Sequence, residues 1–289
     1  MPDQPPSPPD LTTSQPVADV AVIGGSGLYS LLASPTTWDI STPYGAPSDP
    51  VVVGEVGGRS VAFLPRHGAD HRLPPHRIPF RANLWALAAL GVRHVLAPCA
   101  VGSLRAEIRP GSIVVPDQLV DRTSGRPQTV HDGPHAVHVS FADPYCPVGR
   151  ATVLATAREQ GFEAVDGGTT VVVEGPRFST RAESQSYAAQ GWSLVNMTGH
   201  PEAVLARELR IGYTSVALVT DLDVGAEEGV SVTQEEVFRA FGEWFGRLQA
   251  LLLAGIVALP AEPPPAAHAL DGISNDLDAR LAATELRVR

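Results

Sequence analysis

The chain has 289 residues, 44% of them hydrophobic, so it is long enough to bury a full core within one large α/β domain. Its formal net charge of −10 argues against binding to nucleic acid or to an anionic membrane. All 21 basic residues are arginines, and the absence of lysine excludes lysine Schiff-base chemistry and the phosphate-binding lysine of a P-loop.

Targeting and redox features are absent from the sequence. The N-terminal stretch lacks the basic and apolar segments of a secretory signal, and no apolar run approaches the length of a membrane span. The two cysteines, Cys99 and Cys146, are too few for a disulfide framework. We therefore expect a cytoplasmic protein with no membrane partner.

The first predicted element is a strand that runs into a glycine-rich turn. Residues 1–17 are rich in Pro, Ser, Thr and Asp and are predicted to form a disordered tail. The strand over 17–23 leads into Gly24–Gly27, where backbone N–H groups and the Ser26 hydroxyl could bind phosphate, although an ordinary tight turn fits equally. Ser30 occupies the third glycine position of the dinucleotide fingerprint, which weakens a dinucleotide oxidoreductase hypothesis.

A predicted hairpin over 51–56 and 60–64 delivers Arg66 at the end of its second strand. A planar guanidinium at this place suits a phosphate group. Nearby histidines raise the question of a zinc site: His67, His71 and His76. We predict no metal, because Asp70 is the only carboxylate close to them and no thiolate lies at ligand spacing.

The remaining elements alternate between helices and strands. Helices are predicted over 78–90, 148–160, 180–189, 201–209 and 234–257. Strands are predicted over 92–97, 113–115, 169–173 and 213–220, with a polar loop over 117–141 and a loosely ordered tail over 259–289. This alternation predicts an α/β fold with antiparallel edges.

Two acids follow the apolar run over 213–220, namely Asp221 and Asp223. The carboxyl ends of strands are where open α/β sheets bind ligands, so these carboxylates could exchange protons with a bound heterocycle. The alternative is that they only cap the next helix. Just upstream, Thr198 is predicted near a helix N-terminus, which favours an anion.

Eight segments match one known family in order, at 23–28, 63–68, 83–87, 101–105, 117–123, 174–183, 196–202 and 220–223. On these motifs the chain resembles the methylthioadenosine phosphorylase branch of the trimeric purine nucleoside phosphorylases. The resemblance implies a single-domain α/β/α phosphorylase-type fold with a central mixed sheet over residues 18–258. It also implies a homotrimer with no cofactor, in which inorganic phosphate is the co-substrate.

The reaction that the resemblance implies is phosphorolysis, in which phosphate attacks C1′ of a nucleoside and the purine leaves after protonation by Asp221, with Asp223 beside it. Family positions for phosphate correspond to Ser26, Arg66, His67, Cys99, Ala100 and Thr198. Those for base and ribose correspond to Phe178, Ser179 and Met197. His200 departs from the small or apolar pair that the family has near the ribose-facing turn, and it could either pack in the core or contact the sugar. The 5′ pocket corresponds to His138, expected from a neighbouring subunit, and to Val232 and Val237.

Substrate choice follows from hydrogen-bond patterns at the base. Carboxylates accept from the 6-amino group of adenine and repel a 6-oxo group. Family members that cleave inosine or guanosine carry Asn in place of Asp221 and Glu in place of Ser179, so we expect S-methyl-5′-thioadenosine or a related 5′-modified adenine nucleoside as substrate. The alternatives are a phosphorylase for 6-oxopurine nucleosides (inosine, guanosine, methylthioinosine), a nucleosidase that uses water, and a non-catalytic nucleoside-binding protein. The last is kept because Cys99 replaces a phosphate-donating threonine of the family with a weaker donor.

Overall fold

The computed structural model describes residues 16–25, 32–134, 136–223 and 232–289. In these ranges the strands are β1 (Val20–Gly24), β2 (Ala33–Ser41), β3 (Val51–Val56), β4 (Arg59–Pro65), β5 (His94–Ser103), β6 (Ile113–Val115), β7 (Gln118–Arg122), β8 (Val165–Asp166), β9 (Thr169–Val173), β10 (Leu194–Asn196), β11 (Gly212–Leu222) and β12 (Glu285–Val288). The helices are α1 (Phe80–Ala89), α2 (Pro147–Glu159), α3 (Arg181–Ala189), α4 (Gly199–Glu208), α5 (Gln234–Ala258) and α6 (Leu277–Ala282).

One mixed sheet joins these strands, as the α/β prediction requires. At its centre β1 runs parallel to both β4 and β5, and β5 runs parallel to β11. The predicted hairpin is confirmed as the antiparallel pair β3–β4, whose register places Val53 opposite Ala62. Parallel strands at the centre bring their carboxyl ends to one edge, and that edge is where the candidate site lies.

Both faces of the sheet are covered by helices. In β1, Ala21 and Ile23 join a core with residues of α1 and α4, while Val20 and Val22 join a second core with residues of α2 and α5. Successive side chains of a strand point to opposite faces, so a strand covered on both sides must be apolar throughout. The continuous apolar runs in the sequence are explained by this α/β/α layering.

The polar segment 117–141, predicted as a loop, differs from the prediction because it contains β7. This strand pairs in parallel with β9, with Gln118 opposite Thr169. Its own residues are only partly buried or exposed. Their pattern is therefore weak, and the backbone pairing to β9 determines the conformation.

The C-terminal segment 259–289 also differs from its prediction as a loosely ordered tail. It forms α6 and β12, and β12 extends the sheet by pairing antiparallel with β2. Arg280 donates to the Val130 carbonyl at 2.9 Å and to the Tyr44 hydroxyl at 2.7 Å, and the buried indole N–H of Trp85 donates to Thr284 Oγ1 at 3.0 Å. These partners lie far away in the sequence, so no local pattern reveals them. None of the helices in the described ranges is long and apolar enough to cross a bilayer.

Candidate active site

A cavity of about 440 Å³ opens at the carboxyl edge of the central strands. This volume is within the range of small-molecule sites. Its lining includes eleven of the predicted site residues: Arg66, His67, Cys99, Ala100, Phe178, Ser179, Met197, Thr198, Asp221, Asp223 and Val237. Ser26 lies outside the described residues.

Arg66 is buried at one end of the cavity, and its guanidinium is held in place. Nε donates to Glu202 Oε1 at 2.5 Å and Nη2 to Glu202 Oε2 at 3.0 Å. Nη2 also donates to the carbonyl of Ile23 at 2.9 Å, and Nη1 to that of Pro98 at 3.1 Å. Within the described residues, these contacts use four of the five guanidinium N–H groups, one each on Nε and Nη1 and both on Nη2. The fifth remains for an anion.

His67 presents a neutral imidazole to the same end. Burial, reinforced by the Arg66 charge, lowers the pKa of His67 to about 4 despite its hydrogen bond to the Leu73 carbonyl. Nδ1 lies 2.8 Å from that carbonyl oxygen, which can only accept, so Nδ1 carries the proton and Nε2 has a lone pair. The ring stacks on His71 with 4.4 Å between centroids.

Thr198 and Cys99 complete the described part of the anion end. The Asn196 carboxamide oxygen accepts from the Thr198 N–H at 2.7 Å and the Gly199 N–H at 2.6 Å, which fixes the turn between β10 and α4. Cys99 Sγ lies 3.6 Å from Ser215 Oγ, and burial raises the pKa of the Cys99 thiol. Cys99 is therefore a neutral thiol and adds no negative charge to this end.

The two predicted acids line the cavity at its other end, because Asp221 belongs to β11 whereas Arg66 follows β4, and β1 and β5 lie between these two strands. Burial, the charge of Asp223 and that of Glu236 raise the pKa of Asp221 to about 6, although a 2.8 Å hydrogen bond from Thr220 Oγ1 to Oδ2 opposes the shift. Asp223 is buried, and its Oδ2 accepts from Ser184 Oγ at 2.6 Å. Asp221 is thus a carboxyl that can hold a proton near neutral pH, as proton transfer to a base requires.

A β-bulge and a glycine set the position of Asp221. The pairing of β11 with β5 shifts register between Val219 and Asp221, which places Asp221 opposite Gly102. A Cβ on Gly102 would lie 2.9 Å from Asp221 Oδ1 and 3.3 Å from Asp223 Cβ. The bare glycine backbone therefore gives the carboxylate the space it occupies.

The middle of the cavity is apolar, with one free hydroxyl. Phe178 and Met197 provide ring and thioether surfaces. Ser179 Oγ is buried and has no hydrogen-bond partner among the described residues, so it is available to a ligand. Phe238, which sequence reasoning missed, also lines the cavity and lies edge-on to His71 at 5.5 Å. Its position at the start of α5, next to Val237, is the signal that could have revealed it.

Three predicted residues do not line this cavity. His200, for which the sequence left a packing role and a contact with the sugar open, is buried, with Nε2 at 3.3 Å from Asp121 Oδ2 in β7. This position agrees with the packing role, because the imidazole pairs with a carboxylate and is not among the described lining residues of the cavity. His138 is exposed and Val232 partly buried, and neither is among the described lining residues.

A cation held by Glu202 and a protonatable carboxyl that line the same cavity are typical of an α/β enzyme that transfers a group between an anion and a heterocycle. The chain belongs to the Phosphorylase superfamily, whose sequence model matches residues 19–258.

Curated relatives are similar over most of the chain. A purine nucleoside phosphorylase of Streptomyces coelicolor is 60% identical over 252 residues, which cover 84% of this chain and 90% of the relative. An S-methyl-5′-thioadenosine phosphorylase of Mycobacterium tuberculosis is 57% identical over 238 residues, covering 82% of this chain and 88% of the relative.

Solved structures agree with these matches. A methylthioadenosine phosphorylase from an antarctic soil metagenomic library has a TM-score of 0.85 at 38% identity, covering 93% of this chain and 99% of the other. Methylthioadenosine phosphorylase of Schistosoma mansoni in complex with adenine has a TM-score of 0.79 at 33% identity, covering 92% and 96%. The phosphorylase-type fold expected from the sequence is confirmed.

Proposed function

We propose that the protein is a pentosyltransferase that cleaves S-methyl-5′-thioadenosine with phosphate. A phosphate oxygen forms a bond to C1′ while the bond between C1′ and N9 breaks, and its electron pair passes to the purine. Asp221 delivers a proton to N7, so that neutral adenine and a sugar 1-phosphate leave. The observation that carries the proposal is the placement of a fixed cation and a carboxyl of raised pKa at opposite ends of one cavity.

The acid end supports the chemistry of the leaving group. A purine that departs with its bonding electrons takes up negative charge, which a protonated carboxyl neutralises in the transition state. Burial raises the pKa of Asp221 to about 6, so a substantial protonated fraction exists near neutral pH. Asp223, held by Ser184, remains an acceptor for the 6-amino group.

The anion end supports attack by phosphate. Arg66 supplies a positive charge that Glu202 orients, and Thr198 supplies a hydroxyl from a turn fixed by Asn196. The phosphate dianion then faces C1′, where positive charge develops as the base departs, so attacking group and sugar stabilise one another. A nucleosidase that uses water would have no use for this end.

The base specificity argues for adenine nucleosides. Asp223 can accept a hydrogen bond from a 6-amino group but not from a 6-oxo group, and Ser179 leaves space that a longer acid would fill. The M. tuberculosis relative named for methylthioadenosine supports this choice. The alternative is a purine nucleoside phosphorylase for 6-oxopurines, which the name of the S. coelicolor relative favours.

The proposed enzyme is a cytoplasmic homotrimer that needs no cofactor, only inorganic phosphate as co-substrate. His138, exposed in this protomer, would reach the 5′ end of the substrate in a neighbouring subunit. The side chain of Phe238 is 51% exposed, which leaves apolar surface at the cavity rim for such a neighbour to cover. Val237 would contact the methylthio group.

Base release distinguishes these functions. The purified protein is incubated with methylthioadenosine, adenosine or inosine, with and without phosphate, and the free base is measured. Adenine that appears only with phosphate, and fastest from methylthioadenosine, is the expected result. Hypoxanthine from inosine would instead support the 6-oxopurine enzyme, adenine without phosphate a nucleosidase, and no release a binding protein.

A further inference from the structure

Arg126 is a nearly buried arginine outside the cavity whose five N–H groups all have acceptors. Nη1 donates to the carbonyls of Met197 at 2.9 Å and His200 at 2.7 Å. Nη2 donates to those of Glu174 at 2.7 Å and Val173 at 3.5 Å, and Nε to the Glu174 carboxylate at 3.3 Å. Its side chain is only 4% exposed, and the guanidinium lies over the Phe80 ring at 5.3 Å.

The carbonyls that Arg126 binds belong to the two turns that carry the nucleoside-facing residues. Val173 is the last residue of β9, and Glu174 follows it, four residues before Phe178. Met197 and His200 bracket the turn between β10 and α4. The two turns also touch directly, since a Cβ on Gly175 would lie 2.6 Å from the Met197 sulfur.

We infer that Arg126 is a positioning residue for nucleoside binding, which fixes the spacing between the ring of Phe178 and the thioether of Met197. A planar guanidinium can bridge carbonyls of two strands at once, whereas an ammonium is a point charge that cannot span both. The same segment reinforces the second turn through the contact of Asp121 with His200. The effect that this inference predicts on the Michaelis constants rests on the proposed phosphorolysis.

The cation of the anion end is held independently of Arg126, and Thr198, which lies inside the second turn, has a further restraint that Arg126 does not provide. Arg66 is oriented by Glu202, and the N–H of Thr198 is held by the Asn196 side chain. Loss of Arg126 should therefore weaken the binding of nucleoside much more than that of phosphate. If Arg126 served only to stabilise the fold, its loss would not change the binding of nucleoside more than that of phosphate.

The test uses the full-length protein with Arg126→Met, which keeps the length and the cover over Phe80, and with Arg126→Lys. The matched control is Arg150→Met. Arg150 also donates to main-chain carbonyls, those of Pro116 at 2.9 Å and Val115 at 3.4 Å, and pairs with Asp166, but none of these residues lines the cavity. The Michaelis constants for methylthioadenosine and phosphate are measured separately for each variant.

For Arg126→Met we expect KM for methylthioadenosine to rise roughly 10-fold or more and kcat to fall, as small misplacements of binding groups produce. We expect KM for phosphate to change less than about 3-fold, Arg126→Lys to recover only part of the loss, and Arg150→Met to match the wild type in both constants. Equal shifts for the two substrates, or no shift, would overturn the inference. Arg126→Lys carries the test if Arg126→Met does not fold.

Hydrogen–deuterium exchange separates this inference from the proposed reaction. In Arg126→Lys, the backbone amides of 174–178 and 197–201 should exchange faster than in the wild type, and those of 64–68 should not. The exchange measurement does not depend on catalysis, so it tests the role of Arg126 even if the wild-type protein releases no adenine. Absence of adenine release would contradict only the proposed reaction. Unchanged exchange in both turns would refute the role of Arg126.

Discussion

Glu202 holds Arg66 through both carboxylate oxygens, and the two side chains are 0% and 4% exposed. Tyr213 donates its hydroxyl to Glu202 Oε2 at 2.7 Å, which adds a third contact to the pair. Glu202 is not among the described lining residues of the cavity, yet it fixes the position of the Arg66 guanidinium there.

Glu202→Ala should lower the free energy of unfolding by about 3–5 kcal/mol, because it leaves the Arg66 charge buried without a counterion. Urea denaturation monitored by tryptophan fluorescence measures the change. The control is Asp70→Asn, which removes an exposed partner of Arg72 and should leave the free energy of unfolding nearly unchanged. A Glu202→Ala protein as stable as the control would contradict this account of the pair.

Asp221→Asn should lower turnover of adenine nucleosides by orders of magnitude, because an amide cannot transfer the proton to N7. It should also tolerate 6-oxopurine nucleosides better, because the amide can donate to a carbonyl. Initial rates with methylthioadenosine and inosine measure both effects, with the exposed Asp271→Asn as the control. Unchanged activity of Asp221→Asn on methylthioadenosine would eliminate the acid role.

The raised pKa of Asp221 also predicts how activity and stability depend on pH. The acid must be protonated, so kcat/KM should fall as pH rises through about 6. Folding raises this pKa from 3.8, so the native state binds the proton more tightly and the ionised side chain destabilises the fold. That destabilisation is absent below pH 3.8, grows between the two pKa values and is complete above about 6.

At pH 8 Asp221→Asn should therefore have a higher free energy of unfolding than the wild type, by at most about 3 kcal/mol, and should unfold at a higher temperature. Thermal unfolding at pH 4 and pH 8 measures the difference, which should shrink at the lower pH. A variant less stable than wild type at pH 8 would show that the ionised carboxylate is stabilised in the fold.

Gly102→Ala should displace Asp221 and lower kcat roughly 10- to 100-fold while the fold is retained, since misplacement by about 1 Å has effects of this size. The matched control is Gly242→Ala in α5, where an added Cβ meets nothing within 4 Å. Steady-state kinetics together with circular dichroism measure the two outcomes. Full activity in Gly102→Ala would mean that Asp221 tolerates the shift.

Thr284→Val should destabilise the protein by about 1–3 kcal/mol, because the buried indole N–H of Trp85 loses its acceptor. Thr284→Ser restores the hydroxyl and should regain most of the loss. Denaturation curves of the two variants make the comparison. Equal stability of Val and Ser variants would show that the C-terminal segment is not fixed by this contact.

Local sequence patterns predicted the elements whose conformation depends on residues close to them in the sequence. Apolar runs located the central strands, and the two acids after 213–220 line the cavity. Arg126 left no such signal, because its partners are mostly main-chain carbonyls of residues 47 to 74 positions away. The choice between the two roles left open for His200 needed the structure for a related reason, since the position of its partner Asp121 depends on the pairing of β7 with β9.

The bulge in β11 makes the chemistry depend on how many residues the strand contains. Strand side chains alternate between faces, and the extra residue in the bulge, Thr220, resets that alternation just before Asp221. If β11 paired regularly and had no bulge, Thr220 would lie opposite Gly102 and Asp221 opposite Ser103, on the other face of the sheet. The buried run from Tyr213 to Val219 has the same pairing in both cases, so the bulge alone decides which face the acid occupies.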